Sequence, residues 1–180
     1  ESRVSGIILS AWHSPKVKEA TSLIQNLHIP LVIVHSPRNL DNVDSILVDD
    51  KKGAYEAACN LIKWGHKRIV SLGVKNSRTS YLREKGYRKA LLEKELSEEK
   101  NLILQADSFS PDDAFLTIQE LYKSNLDFTA IFAHSDLMAI GAMEATLERG
   151  LRIPEDISII AFDDTYASLT LPKLTTMHVP

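Results

Sequence analysis

Eight short apolar runs recur along this chain, each separated from the next by a segment of different period. They lie at residues 4–9, 31–34, 45–48, 68–72, 102–105, 130–133, 157–162 and 174–177. Most are continuous blocks of Ile, Val and Leu. An alternating apolar–polar pattern would mark a sheet with one wet face; continuous blocks mark strands covered on both faces. Between the runs the apolar residues fall at helical spacing. Ser14-Pro15 reads as a cap with proline at the first helical position, followed by Val17, Ala20, Ile24 and Leu27 on one stripe. Ala54, Ala58, Leu61 and Ile62 make a second stripe that Gly65 stops. A third helix is expected over residues 79–95, a fourth after the cap Ser110-Pro111-Asp112-Asp113, and a fifth over 136–149 with Gly150 behind it. Strands alternating with helices predict an α/β fold whose parallel sheets are flanked by helices. Residues 36–44 join two strands without a helical pattern, as a passage from one lobe to another would.

Composition narrows the function. The 180 residues suffice for one domain or two small lobes. A formal net charge of −3 supplies no basic field for nucleic acid, which argues against DNA binding by these residues themselves. The single cysteine, Cys59, permits no internal disulfide, so a cytoplasmic setting is expected, with Cys59 as a buried, inert thiol. No apolar run approaches the ~20 residues that span a bilayer. The first residues enter a strand directly, without signal-peptide layout or initiator Met, and the last begin another strand. The chain is therefore expected to be a piece of something longer.

In doubly wound sheets, ligands sit beyond the carboxyl ends of the strands. Those ends read Ser10-Ala11-Trp12-His13, His35-Ser36, Val74-Lys75-Asn76-Ser77, Asp107-Ser108-Phe109, His134-Ser135-Asp136 and Asp163-Asp164. They carry hydroxyls, imidazoles, carboxylates and an aromatic ring. There is no G-x-G-x-x-G, no G-x-x-x-x-G-K-[ST] and no G-x-S-x-G, so the signatures of a dinucleotide cradle, a triphosphate loop and a hydrolase elbow are missing. The six histidines show no short metal-ligand spacing, and no metal or cofactor is expected. Asp163 and Asp164 are adjacent and point in different directions, a poor arrangement for an acid/base pair. A small polar ligand held by side chains, with sugar the natural candidate, is the reading that survives. Two or three charge-assisted hydrogen bonds of roughly 1.5–3 kcal/mol each would hold it at micromolar concentration.

Two long blocks carry a resemblance. Phe128-Thr129-Ala130-Ile131-Phe132-Ala133-His134-Ser135-Asp136-Leu137-Met138-Ala139-Ile140-Gly141-Ala142 is followed by Gly150-Leu151-Arg152-Ile153-Pro154-Glu155-Asp156-Ile157-Ser158-Ile159-Ile160-Ala161-Phe162-Asp163-Asp164. Together with Gly65-His66-Lys67-Arg68-Ile69, the stretch from Arg83 through Gly86-Tyr87-Arg88-Lys89-Ala90-Leu91, and Leu174-Thr175-Thr176, they resemble the lactose-repressor/galactose-repressor (LacI/GalR) family of bacterial transcription regulators. The resemblance runs along essentially the whole chain. It implies the type I periplasmic-binding-protein-like fold, two α/β lobes around an effector cleft. Residues 1–48 would be part of the N-terminal lobe, 49–177 nearly all of the C-terminal lobe, and 178–180 the start of the return. It further implies a sugar or similar small polar effector, a homodimer, and operator DNA contacted through a helix-turn-helix outside these residues. No enzymatic activity and no membrane partner are implied. A periplasmic sugar-binding protein of a transport system shares the fold and stands as the alternative.

Residue by residue, the resemblance places Asp163 at the carboxylate that takes effector hydroxyls and Arg83 at the hydroxyl-binding arginine. Phe109 falls where an aromatic stacks on the ligand, with the competing reading of a hydrophobic staple on the next helix. Ser10 and His35 fall at contributing strand ends of the first lobe, where polar side chains also simply satisfy backbone groups. Ser135 replaces the usual Asn and can cap a helix or meet a ligand; Ala161 replaces the usual Gly. Asp164 reads as the cap of the following turn, and Asp136 as an acid favourable to its helix dipole. Trp12 and Trp64 read as packing residues, and residues 94–100 as solvated surface.

Overall fold

The computed structural model describes residues 4–10, 17–26, 28–35 and 43–180. The chain divides into two compact units, Glu1–Asp49 and Asp50–Pro180.

In the first unit, β1 (Ile7–Ser10), β2 (Leu31–Val34) and β3 (Asp44–Ile46) form a parallel sheet in that order, with α1 (Val17–Asn26) between β1 and β2. Ile33 is its fully buried centre, packed by Leu9, Leu31 and Val43. The helix cap expected at Ser14-Pro15, together with Trp12 and Leu27, lies outside the described residues.

The second unit is a five-stranded parallel sheet in the order β5-β4-β6-β7-β8. Its strands are β4 (Ile69–Val74), β5 (Ile103–Ala106), β6 (Ala130–Ala133), β7 (Ser158–Asp163) and β8 (Thr175–His178). Both faces are covered, as the continuous apolar runs require. Val70, Leu72, Ile131, Ala133, Ile159 and Ala161 point into one core with α4 (Pro111–Lys123) and α5 (Asp136–Glu148). Alternate residues face the other side. There Phe162 lies against Gly53 of α2 (Asp50–Lys63), and Tyr87 of α3 (Arg78–Glu93) donates to the Ile69 carbonyl at 2.7 Å. Each helix pair closes around a glycine. A Cβ on Gly86 of α3 would run into the Lys51 carbonyl of α2, and one on Gly141 of α5 would run into the Pro111 carbonyl of α4.

The chain leaves β4 for β5 on one side and later returns to place β6 on the other. The sheet therefore reverses direction of growth between β4 and β6, the place where sheets of this kind hold ligands.

Some expectations are corrected. Cys59 is half-buried rather than enclosed. Trp64 is 56% exposed and packs little. The segment 94–100 is solvated surface as expected, with five of its seven residues exposed, and two surface ion pairs, Glu98 with Arg88 and Glu99 with Arg68 at 2.9 Å, lie along it.

Candidate ligand-binding site

The centre of the site is Arg83. Ser77 starts α3 by accepting the Ser80 amide, and Arg83 follows two turns in, on the face that meets α2 and the end of β7. It is 5% exposed. Each of its three nitrogens has a partner within the second unit: Nε donates to Asp50 at 2.8 Å, Nη2 pairs with Asp163 at 3.2 Å, and Nη1 donates to the His134 carbonyl. The guanidinium also lies over the Phe162 ring, 3.6 Å from its centroid. A planar fork can serve three acceptors at fixed angles, which an ammonium cannot.

Asp163 ends β7 with φ of 109°, and Asp164 follows at 60°. Both lie on the side of the map that non-glycine residues avoid, and such positions hold strain of roughly 1–3 kcal/mol each unless their surroundings determine them. Burial pushes the Asp163 carboxyl up to about 6. Arg83 opposes the rise, and the charges of Asp136 and Asp50 add to it. At neutral pH Asp163 is therefore an ionised acceptor in surroundings that resist its charge, well matched to ligand hydroxyls that would replace lost water.

What holds the strained turn is Asp136, at the start of α5 and only 1% exposed. One of its oxygens accepts the Thr165 amide at 2.7 Å and the Tyr166 amide at 2.8 Å; the other accepts the Thr176 hydroxyl at 2.6 Å. The helix-dipole reading of Asp136 is thus incomplete, since its carboxylate knits three elements together. The turn-cap reading of Asp164 is also corrected: its carboxylate pairs with His178 at 3.0 Å, and the short helical turn Ala167–Leu169 has no side-chain cap. β8 includes that His178, one residue beyond its expected end.

His134 is 1% exposed, with Nε2 3.0 Å from Ser71 Oγ and Nδ1 without a partner. Burial first, and the Arg83 charge second, hold its pKa down to about 3, so the ring is neutral. An unpaired acceptor is less costly than an unpaired donor, which favours the tautomer with the proton on Nε2, given to Ser71. Gly73 leaves the space that Nδ1 occupies; a Cβ there would sit 2.7 Å from it.

Of the residues singled out from sequence, Asp163 and Arg83 meet directly. Ser135 adjoins them through His134, but its hydroxyl accepts the Met138 amide at 3.2 Å and caps α5. Phe109 packs on the α4/α5 core, the behaviour expected of a staple. Ser10 and His35 end β1 and β2 in the first unit, both exposed, and His35 has φ of 56°. Asp50, His134 and Asp136 were missed as site components. Each stands next to a helix start or strand end, where Asp and His have ordinary local explanations. Among the described residues no group of three or more His, Cys, Asp or Glu is placed to hold a metal ion, and no helix is long and apolar enough to cross a membrane.

A parallel sheet clad on both faces, with a charged cluster beyond the ends of β6 and β7, defines a doubly wound α/β protein, the architecture that periplasmic binding proteins share. Residues 58–180 match the family model described as periplasmic binding protein-like domain. Over 179 residues the chain is 35% identical to the HTH-type transcriptional repressor PurR of Haemophilus influenzae, covering 98% of this chain and 52% of that protein. The transcriptional repressor AscG of Escherichia coli superposes with a TM-score of 0.83 at 32% identity, over 99% of this chain and 65% of that one. A LacI family regulator from Enterococcus faecium with bound ribose superposes with a TM-score of 0.85 at 27% identity, over 98% and 66%. The chain belongs to the periplasmic-binding-protein-like domain family, in its LacI/GalR regulator branch. It spans about half the length of the curated relatives it matches.

Proposed function

We propose that this chain is the effector-sensing core of a bacterial DNA-binding transcription regulator, and that its effector is a sugar or similar small polar molecule. The observation that carries this is the pairing of buried Arg83 with half-buried Asp163 at the end of β7, in a family whose relatives here are transcription regulators. Asp163 accepts effector hydroxyls. Arg83 orients that carboxylate and donates to the ligand by sharing its fork. Ser135, Phe109, His35 and Ser10 are the further contacts proposed from the family pattern. Residues 1–48 belong to the N-terminal lobe, 49–177 to the C-terminal lobe, and 178–180 begin the return. Binding favours one arrangement of the lobes, and a homodimer passes that preference to operator-binding segments outside these residues. The protein works in the cytoplasm and has no enzymatic role. A periplasmic sugar-binding protein would share the fold, but the matched relatives favour the regulator.

Calorimetry against a panel of neutral sugars and nucleobases, ribose and cellobiose included, tests the reading. One compound should bind at roughly micromolar Kd, and Asp163→Ala should weaken it by about a hundredfold or more while the fold persists. Unchanged affinity in that variant would sink the site assignment. This chain alone should give no sequence-specific shift of operator DNA, in keeping with its net charge of −3.

A further inference from the structure

Asp163 and Asp164 both adopt positive φ, yet neither is a glycine, and their own side chains reach away from the turn backbone, to Arg83 and His178. Enforcement comes from Asp136. Its carboxylate sits at the head of α5, accepts the two amides directly after Asp164, and is steadied from behind by Thr176 of β8. The three bonds run from α5 to the turn and to β8, so the turn cannot relax unless one of them breaks.

We propose that Asp136 is the positioning residue of the site: its carboxylate holds the turn after β7 and thereby sets where Asp163 meets Arg83 and a ligand. The ligand role of Asp163 is the reading proposed above, and this inference rests on it; the placement of Asp163 against Arg83 can be measured without any ligand. Asp136 makes no contact with Arg83 of its own. It acts on the site through the backbone of residues 163–166, and through its charge on Asp163.

Those two routes can be separated by substitution. Asn at position 136 can keep all three hydrogen bonds, because its oxygen accepts both amides and its NH2 donates to the Thr176 hydroxyl. Ala keeps none. Both variants remove the same charge, so a difference between them reports geometry alone. The charged groups facing Asp163 are Arg83 from α3, Asp50 from α2 and Asp136 from α5, with His134 neutral after β6.

The experiment is NMR on the ligand-free chain, following the Asp163 carboxyl, the Arg83 guanidinium protons and the Thr165 and Tyr166 amides. In Asp136→Ala the two amides should exchange at least roughly tenfold faster. Arg83 protons should exchange faster too, and the Asp163 midpoint should fall well below about 6 as the carboxyl gains water. Asp136→Asn should restore slow exchange at all three residues and lower the midpoint less. Identical Asp163 and Arg83 behaviour in the Ala and Asn variants would overturn the proposal, leaving Asp136 as a brace without influence on the site. Should the Ala variant fail to fold, Asp136→Glu keeps the charge and displaces the turn by one methylene; an unmoved Asp163 midpoint there would overturn it equally. If calorimetry instead shows that Asp163→Ala retains full affinity for the bound sugar, the effector reading fails while these ligand-free measurements stand.

Discussion

Replacing Asp163 with Asn should stabilise the ligand-free protein at neutral pH while removing its ability to bind effector. The carboxyl titrates at about 6 in the fold, against 3.8 for an ordinary aspartate, and burial is the main cause. A folded-state pKa above the unfolded value means stability that is fully present below about 3.8 and lost as pH rises through about 6. At about 1.4 kcal/mol per pH unit the loss has a ceiling of roughly 3 kcal/mol. The side chain keeps some contact with water, being 23% exposed, so about 1–2 kcal/mol is the expected gain from Asn. Arg83 is not stranded by the change, since Asp50 and the His134 carbonyl remain its partners. Asn also tolerates positive φ at least as well as Asp. Urea unfolding of parent and variant, from pH about 4 to about 8 in effector-free buffer, would show curves that coincide at the acid end. They should separate through about pH 6, and the variant's melting temperature should rise by about 2–4 °C per kcal/mol. A variant less stable than its parent at about pH 8, or a difference that ignores pH, would refute the reasoning. Such a gain on losing a binding group is the usual sign of a site held at the expense of stability.

Arg83→Leu should destabilise by roughly 3–5 kcal/mol in urea titration, because it leaves Asp50 and Asp163 half-buried without their cation. Arg83→Lys should recover only part of this, since one ammonium cannot serve three acceptors. Gly86→Ala should lower stability by about 1–3 kcal/mol or more in thermal unfolding, as its Cβ would meet the Lys51 carbonyl and lie 2.8 Å from the Tyr55 nitrogen, forcing α2 and α3 apart. The His134 ring should show no NMR titration between about pH 5 and about 8. Its folded pKa of about 3 lies below the ordinary 6.5, so it contributes stability above that value that is lost as pH falls toward 3. A midpoint near 6.5 would contradict its burial beside Arg83.

The strands and helices were legible because their signals are local. All eight apolar runs became strands, and the runs at 31–34 and 130–133 match β2 and β6 to the residue. At the other runs the boundaries moved by one to three residues, since ladder hydrogen bonding rather than the apolar pattern sets where a strand begins and ends. Asp163 was legible as a carboxylate at a strand end, and Arg83 only through the family pattern; by residue type alone, an arginine on a helix is a surface group. Ser135 could be read as cap or ligand contact, and the cap at Met138 answers only half of that question.

By itself the sequence determined the alternation of covered strands and amphipathic helices, the parallel class of sheet, and the strand ends where chemistry could lie. Periodicity encodes these, and periodicity is a property of neighbours a few residues apart. Only the tertiary structure decided which side chains share a site. Asp50 reaches Arg83 across 33 residues, and Asp136 reaches Thr176 across 40. The first link exists because α2 and α3 pack closely at Gly86, the second because the sheet sets the ends of β6, β7 and β8 side by side. No local pattern distinguishes a carboxylate that stabilises its own helix from one that holds a turn on a distant strand. The adjacent Asp163 and Asp164 illustrate the point: one turns inward to a guanidinium, the other outward to His178, and the fold of the backbone between them makes the choice.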